Sequence, residues 1–260
     1  GAFTIPLMKK TGYNKDFSGA VEAVASTGGQ IVPPIMGAAA FIMASYLGIP
    51  YSQGALAAII PAILYFLCLL FQVDFRAQKL GLKGLPKIEL PNTKDVLKKG
   101  YIFFAPLLII IVLLFIGYSP MRAGLIAIVT VIAITLLKSS SRLNPRKLTS
   151  ILSEGARASL ETAIACAASG LIMGIISMTG IGLKFSSFII SIAGGSLLLT
   201  LIYTMIASII LGMGLPTVAA YIVQVALTIP ALIDLGVAPL AAHMFVFYYA
   251  CLSAITPPVA

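Results

Sequence analysis

The chain has 260 residues, of which 60% are apolar and 10% are charged, and its formal net charge at pH 7 is +9. Because soluble globular domains carry about 25% charged and about 45–50% apolar residues, this composition excludes a soluble globular domain and a disordered chain. The three cysteines all lie in apolar runs without a CxxC pair, which excludes a disulfide framework and a cysteine metal site. The apolar runs are as long as bilayer-spanning helices, so the sequence predicts an all-α polytopic membrane protein.

The apolar runs give the predicted helices in chain order. Polar or glycine- and proline-rich segments separate them, and residues 179–195 form a mixed stretch that contains four glycines. Two of the runs, the first and the last, contain a Pro-Pro pair that interrupts them. The predicted helical segments are 17–47, 53–73, 101–117, 121–137, 158–178, 196–211, 218–229 and 240–260.

The basic residues concentrate in three gaps of the chain. Of the 17 Lys and Arg residues, three lie in 1–20, seven in 75–100 and five in 138–157. Cytoplasmic loops of membrane proteins are enriched in Lys and Arg, and an alternating path through the membrane places all three gaps on one side. The charge therefore indicates membrane topology, and nucleic acid is not a predicted partner.

Segments 196–211 and 218–229 are too short to cross a bilayer. As helices they would be about 24 Å and about 18 Å long, against a hydrocarbon core of about 30 Å. The sequence Gly-Met-Gly-Leu-Pro-Thr at 212–217 joins them. We therefore expect a re-entrant hairpin over 196–229 that turns at mid-depth, with its tip covered by protein or facing a wet cavity.

The beginning of the chain has the same pattern in the opposite orientation. Residues 1–6 have the composition of a hairpin tip, and the span that follows is broken at 26–30 and 33–34. After the second tip, the last span is broken in the same way at 253–258. Two interrupted segments in corresponding positions predict an inverted-repeat transporter with a binding site near the membrane midplane.

Each break admits two interpretations. A proline in a membrane helix often only bends it, and Ser or Thr hydroxyls often bond back to the preceding turn. Two adjacent prolines beside hydroxyl side chains favour an unwound, ion-binding segment over a simple kink. Ser253 and Thr256 are three residues apart, so a helical turn would place both hydroxyls on one face.

Few other side chains suggest chemistry. Glu22 and Glu161 lie near the predicted cytoplasmic ends of their segments, where the carboxylate can reach water, and this favours a structural role over a functional one. His243 is the only histidine, and we expect it to make a hydrogen-bonded contact between helices. Because no general base lies within reach of Ser253, the chain is not predicted to be an enzyme.

Several stretches of the sequence resemble one family of membrane proteins. The segment TGYNKDFSGAVEAVASTGGQIVPPIMGAAAF, with FTIPLMKK before it and FRAQKLGLKGLP after residue 73, resembles the large membrane subunit of tripartite ATP-independent periplasmic (TRAP) transporters. It is most similar to the group in which the small and large membrane subunits are fused. GMGLPTVAAYI and LSAITPPVA extend the resemblance to the second half. We expect a fragment that begins within the first hairpin and ends within the second broken helix.

The resemblance implies sodium-driven uptake of a small organic acid, with sodium as the coupling ion and no other cofactor. The implied partners are an extracytoplasmic (periplasmic) substrate-binding protein, the small membrane subunit and the lipid bilayer. The resemblance also implies a multi-pass location in the bacterial or archaeal cytoplasmic (inner) membrane. Transport would proceed by an elevator-like motion of a transport domain against a scaffold.

The same resemblance divides the chain and assigns its sites. Residues 1–52 would hold a first hairpin remnant and a broken helix, 53–157 scaffold-type helices, and 158–260 the second repeat. The implied sodium ligands are Ser26, Thr27, Gly28, Gly29 and Val32 at the first break, and Gly212, Gly214, Ser253 and Thr256 at the second. The implied substrate-binding residues are Thr4, Gln30, Pro33, Pro34, Thr217 and Pro257.

Other functions remain open on the sequence alone. A sodium-driven anion carrier that works without a binding protein would use the same inverted hairpins. An intramembrane hydrolase is a remote alternative, and a channel is disfavoured because the sequence contains no selectivity-filter motif. Uptake that requires a binding protein would distinguish a TRAP transporter from the carrier.

We predict that the three basic gaps face the cytoplasm, because Lys and Arg are retained there. In a cysteine-free background, cysteines at positions 90 and 145 should not react with an impermeant maleimide added to intact cells, whereas a cysteine at position 119 should react. Permeabilising the membrane should make positions 90 and 145 reactive. Efficient labelling of either position in intact cells would contradict this topology.

Overall fold

The fold consists of α-helices joined by short connections. The computed structural model describes residues 1–86, 92, 101, 104–137 and 145–257, and among these residues there are helices but no strands. The predicted all-α fold class is therefore confirmed. The helices are α1 (Thr4–Thr11), α2 (Lys15–Gly28), α3 (Ala38–Leu47), α4 (Tyr51–Leu80), α5 (Phe104–Ile116), α6 (Pro120–Leu137), α7 (Pro145–Thr179), α8 (Ile181–Ile192), α9 (Leu197–Gly212), α10 (Thr217–Leu227), α11 (Ile229–Asp234) and α12 (Pro239–Ser253).

Several helices occur where the apolar runs predict them. α6 and α9 begin and end within one residue of the predicted segments 121–137 and 196–211. α5 ends next to Gly117, whose φ of 100° is easily adopted by a residue without a side chain. Apolar runs that end at glycine or proline therefore predict helix bounds closely.

Two helices are longer than predicted. α4 continues past residue 73 to Leu80, and in this polar extension the Gln78 amide donates a hydrogen bond to Asp74 (2.7 Å) one turn earlier. α7 begins at Pro145, a residue that suits the first position of a helix. Residues 145–157 of the predicted basic gap are therefore helical, whereas 138–144 lie outside the described residues, as do 87–91 and 93–100.

The described chain forms two compact units. The first contains residues 1–28 and 62–148, and the second contains 29–61 and 149–260. The boundaries fall at the end of α2, within α4 and near the beginning of α7. The division into 1–52, 53–157 and 158–260 stays a prediction.

In the first unit, α2 is fastened to the second half of α4. The Tyr65 hydroxyl donates a hydrogen bond to the backbone oxygen of Val24 (2.7 Å), and the Arg76 guanidinium lies 5.6 Å from the centre of the Phe17 ring. A Cβ atom added to Gly28 would lie 2.8 Å from Cδ1 of Tyr65. The absence of a side chain at Gly28 therefore lets the Tyr65 ring cover the end of α2. In the same unit α1 packs on α2, and α5 packs on α6.

In the second unit, α12 is the central helix. α3, α9, α10 and α11 all pack against it. Its residues Ala242, Val246, Phe247 and Ala250 are completely buried, and the Phe247 ring meets the ring of Tyr221 edge to face at 6.1 Å. The small side chains on α12 allow neighbouring helices to approach closely.

α8 joins the second unit through a close approach to backbone. A Cβ atom added to Gly182 would overlap the backbone oxygen of Ala226, and the Ser186 hydroxyl donates a hydrogen bond to the backbone oxygen of Leu227 (3.0 Å). Gly182 and Ser186 are both buried. The two residues hold α8 against the end of α10.

Helix lengths in the described residues separate into two classes. By length and composition, α4 and residues 146–179 of α7 are long and apolar enough to cross a membrane. The arms of the predicted re-entrant hairpin, α9 and α10, have 16 and 11 residues. Both are shorter than the roughly 20 residues that a bilayer crossing needs, as a hairpin that turns at mid-depth requires.

We predict that Gly28→Ala destabilises the first unit, because the new methyl group would collide with the Tyr65 ring. Overpacking of this kind costs about 1–3 kcal/mol. The matched control is Gly19→Ala in the same helix, where no atom lies within 4 Å of an added Cβ. The midpoint of thermal unfolding of the purified protein should fall for Gly28→Ala and stay level or rise for Gly19→Ala. Equal midpoints for the two variants would show that the Tyr65 contact does not constrain α2.

Candidate functional site

The tip of the second hairpin is a tight turn between α9 and α10. α9 ends at Gly212 and α10 begins at Thr217. Gly214 has a φ of 76°, a conformation that glycine adopts without strain, and the Leu215 amide donates to the Gly212 carbonyl (3.1 Å). The turn confirms the helix interruption that the sequence predicts at 212–217.

Gly212 lies directly against Ser253 at the end of α12. A Cβ atom added to Gly212 would overlap Oγ of Ser253, and it would lie 2.8 Å from Cβ of Ser253 and 3.4 Å from Nε2 of Gln224. Gly212 and Ser253 are both buried. The structure therefore brings together two of the residues implied as ligands of the second sodium site.

The chain leaves the helix after Ser253. The Ser253 hydroxyl donates to the carbonyl of Ala250 (2.7 Å), and the Thr256 hydroxyl donates to the carbonyl of Leu252 (2.9 Å). Each hydroxyl has used its hydrogen but keeps oxygen lone pairs that can face a cation. Pro257 is exposed, and the second proline of the pair, Pro258, lies outside the described residues.

Any cation at this site would meet neutral oxygens. The described residues contain no group of three or more His, Cys, Asp or Glu side chains arranged to hold a metal ion. The second hairpin and α12 supply hydroxyl groups and backbone carbonyls instead. Such a donor set fits a monovalent cation better than a divalent one, because divalent ions in proteins are usually held by carboxylates.

The first break begins later than predicted. α2 runs through Ser26, Thr27 and Gly28, so these three residues are helical and the prediction that unwinding starts at Ser26 is wrong. The physical reason is Tyr65 of α4, whose ring covers Gly28 and whose hydroxyl donates a hydrogen bond to the carbonyl of Val24 in α2. Residues 26–28 belong to the first unit, whereas Gly29 and the rest of the break belong to the second.

Residues 29–37 form the unwound segment itself. The Gly37 amide donates a hydrogen bond to the carbonyl of Gln30 (2.8 Å), which brings the two ends of the segment together. The Pro33–Pro34 peptide bond is cis. The Tyr51 hydroxyl lies 3.0 Å from the carbonyl oxygen of Pro34. A tyrosine therefore binds part of the backbone that the break exposes, and Val32 lies on the same segment.

Glu22 has a more specific position than the sequence indicates. Within the first unit, the hydroxyl of Thr4 donates to one of its carboxylate oxygens, and the hydroxyl of Ser26 donates to the other (3.3 Å). Thr4 and Ser26 are residues for which the family resemblance implies substrate and sodium binding, respectively. The four-residue spacing of Glu22 and Ser26 could have indicated this pairing, whereas its link to α1 could not be read from the sequence.

Sequence reasoning missed a set of buried polar residues in the second unit. Thr204, Ser208 and Gln224 are completely buried, and the Gln224 amide donates to the backbone oxygen of Ser208 (3.0 Å). Thr204, Ser208 and Gly212 recur at a spacing of four along α9, which is the signal that could have found them. The predicted hydrogen-bonded role of His243 is confirmed, since its Nδ1 lies 2.6 Å from the Tyr221 hydroxyl.

Comparison with known proteins gives one family. The family model described as "Tripartite ATP-independent periplasmic transporter, DctM component" matches residues 1–260. A search of curated proteins gave no match. The family match covers both predicted breaks and the second hairpin.

We predict that Gly212→Ala destabilises the second unit by about 1–3 kcal/mol, because its methyl group would overlap Ser253. The double variant Gly212→Ala/Ser253→Gly also removes the Ser253 side chain that the new methyl group would overlap, and it should recover most of the lost stability. The measurement is the thermal unfolding midpoint of the two single variants and the double variant. Additive losses in the double variant would show that the two residues do not constrain each other.

Proposed function

The chain belongs to the family of the DctM component of tripartite ATP-independent periplasmic transporters, and on that basis we propose that it drives uptake of a small organic acid with a sodium gradient. Membership makes it a membrane-embedded component of a solute transporter and not an enzyme. It also implies association with a substrate-binding protein and a small membrane subunit. The family match along the whole chain is the observation that carries the proposal.

The neutral oxygens at the second break support sodium as the coupling ion. The Gly212 backbone meets Ser253, and the hydroxyls of Ser253 and Thr256 keep their lone pairs. Unwound helices in transporters commonly bind sodium through hydroxyl groups and freed backbone carbonyls. We propose Gly212, Gly214, Ser253 and Thr256 as its ligands, with a second sodium at the first break.

The end of α10 at the hairpin tip supports an anionic substrate. Pro216, the residue before α10, makes no side-chain hydrogen bond to the helix, so the first backbone N–H groups have no side-chain cap. These groups and the helix dipole favour negative charge at this end. Thr217, for which the family resemblance implies substrate binding, is the first residue of α10. A carboxylate of a small organic acid fits this environment.

The remaining features of the proposal concern location and motion. We propose that the protein lies in the cytoplasmic (inner) membrane with several crossings. The two breaks and the second hairpin would belong to a transport domain that moves against a scaffold, and an extracytoplasmic binding protein would deliver the substrate.

Reconstituted uptake tests the proposal directly. The full-length transporter with its small subunit would be placed in proteoliposomes, and uptake of labelled carboxylates would be measured with purified candidate binding proteins. We expect accumulation only with an inward sodium gradient and a cognate binding protein. Uptake without a binding protein would favour the independent carrier, and uptake without sodium would reject sodium coupling.

We predict that Thr256→Val raises the sodium concentration for half-maximal uptake at least several-fold, because it deletes one oxygen and keeps the side-chain shape. The matched control is Thr228→Val at the other end of α10, where the hydroxyl also donates to the carbonyl four residues earlier (3.0 Å). The sodium dependence of the control should equal that of the wild type. Unchanged sodium dependence in Thr256→Val would remove this side chain from the site.

A further inference from the structure

One face of α9 is polar although it is buried. Thr200, Thr204, Ser208 and Gly212 recur every fourth residue and therefore lie on the same side of the helix. All four are buried, and the three side chains among them have no exposed surface. α9 packs on α10 and α12, so this polar face is enclosed by protein and not by lipid.

Gln224 of α10 meets this face. Its side chain is completely buried, and its Nε2 donates to the backbone oxygen of Ser208 (3.0 Å). The same Nε2 lies beside Gly212, within 3.4 Å of the position that a Cβ would take. The amide group therefore connects the two arms of the hairpin just below the contact between the tip and Ser253.

Three oxygens in this cluster make no hydrogen bond to any described residue. They are Oγ1 of Thr204, Oγ of Ser208 and Oε1 of Gln224. Thr200, one turn earlier on the same face, differs because its hydroxyl donates to the carbonyl of Ser196 (2.9 Å). Buried polar groups that stay unpaired are costly, so three of them, two on adjacent turns of one helix face and one on the glutamine that bonds to that face, point to a bound polar molecule.

We propose that Thr204, Ser208 and Gln224 bind a buried water molecule inside the second hairpin. The two hydroxyls each have a hydrogen to donate, and the amide oxygen accepts. Water matches this set because it accepts two hydrogen bonds and donates two. Side chains four apart on a helix have Cβ atoms about 5–6 Å apart, which is about twice the length of a water hydrogen bond.

A cation fits the same groups less well. It would bind oxygen lone pairs but would leave the hydroxyl hydrogens without acceptors. The hydroxyls of Ser253 and Thr256 differ, because their hydrogens are already donated to backbone carbonyls of α12. The water site is thus distinct in chemistry from the ion site proposed at the tip, and it does not depend on which ion drives transport.

The bound water also fixes the orientation of the Gln224 side chain. A glutamine amide can rotate, but an acceptor at Ser208 for its N–H group and a donor at its oxygen fix one orientation. With that orientation fixed, the arms of the hairpin keep their spacing, and Gly212 stays against Ser253.

Thermal unfolding of the full-length transporter in lipid nanodiscs tests the water site by the sign of the change. If the cluster holds water, Thr204→Val removes one of its partners, and the midpoint should fall by about 2–4 °C. If the cluster is empty, the same change removes an unpaired hydroxyl, and the midpoint should stay level or rise. Thr200→Val is the matched control, because its hydroxyl already donates to the carbonyl of Ser196, and it should stay within about 1 °C of the wild type.

Two further results decide the proposal independently of transport. A high-resolution density map of the wild-type transporter should show an ordered water within hydrogen-bond distance of Oε1 of Gln224 and Oγ of Ser208. The midpoints should be measured in sodium chloride and in choline chloride, and the loss in Thr204→Val should be equal in both. A loss only in sodium would identify a cation, and either that result or a map without density there would overturn the proposal.

Discussion

The contact between Gly212 and Ser253 is the interaction on which the second unit depends. It joins the tip of a hairpin to the end of the central helix at the point where both helices stop. The hydrogen bond from Gln224 to Ser208 ties the second arm of the hairpin to the first, and the pair Tyr221–His243 ties that arm back to α12. The three contacts therefore connect α9, α10 and α12 to one another in pairs. The last residue of α9 and the last residue of α12 are therefore buried, whereas Gly214, Leu215 and Pro216 of the tip are exposed.

The sequence predicts the helices and the second interruption well, because both depend on local chemistry. Apolar runs define α6 and α9, and glycine and proline define the tip between α9 and α10. The prediction that the first break starts at Ser26 is wrong, because the ring of Tyr65 in α4, which is distant in sequence, covers Gly28. Gln224 was missed for the same reason, since an isolated glutamine in an apolar run gives no indication of which helix it will face.

The two units stabilise their polar side chains in different ways. In the first, the carboxylate of Glu22 accepts hydrogen bonds from hydroxyls on α1 and α2, and this group retains some exposure. In the second, the neutral amide of Gln224 connects two helices with no exposure at all. A buried charge is far more costly than a buried amide. The uncharged group is therefore found in the interior, and the charged group where the surface is near.

The neighbour of each glycine determines how this sequence can change during evolution. Gly28 and Gly212 face side chains, so a larger residue at either position can be accommodated by a smaller residue at its partner. Gly182 faces the backbone oxygen of Ala226, and no substitution removes a backbone oxygen. The first two positions can drift in compensated pairs, whereas position 182 can vary only if two helices separate. Among distantly related sequences, we expect glycine to be retained at position 182 more often than at positions 28 and 212.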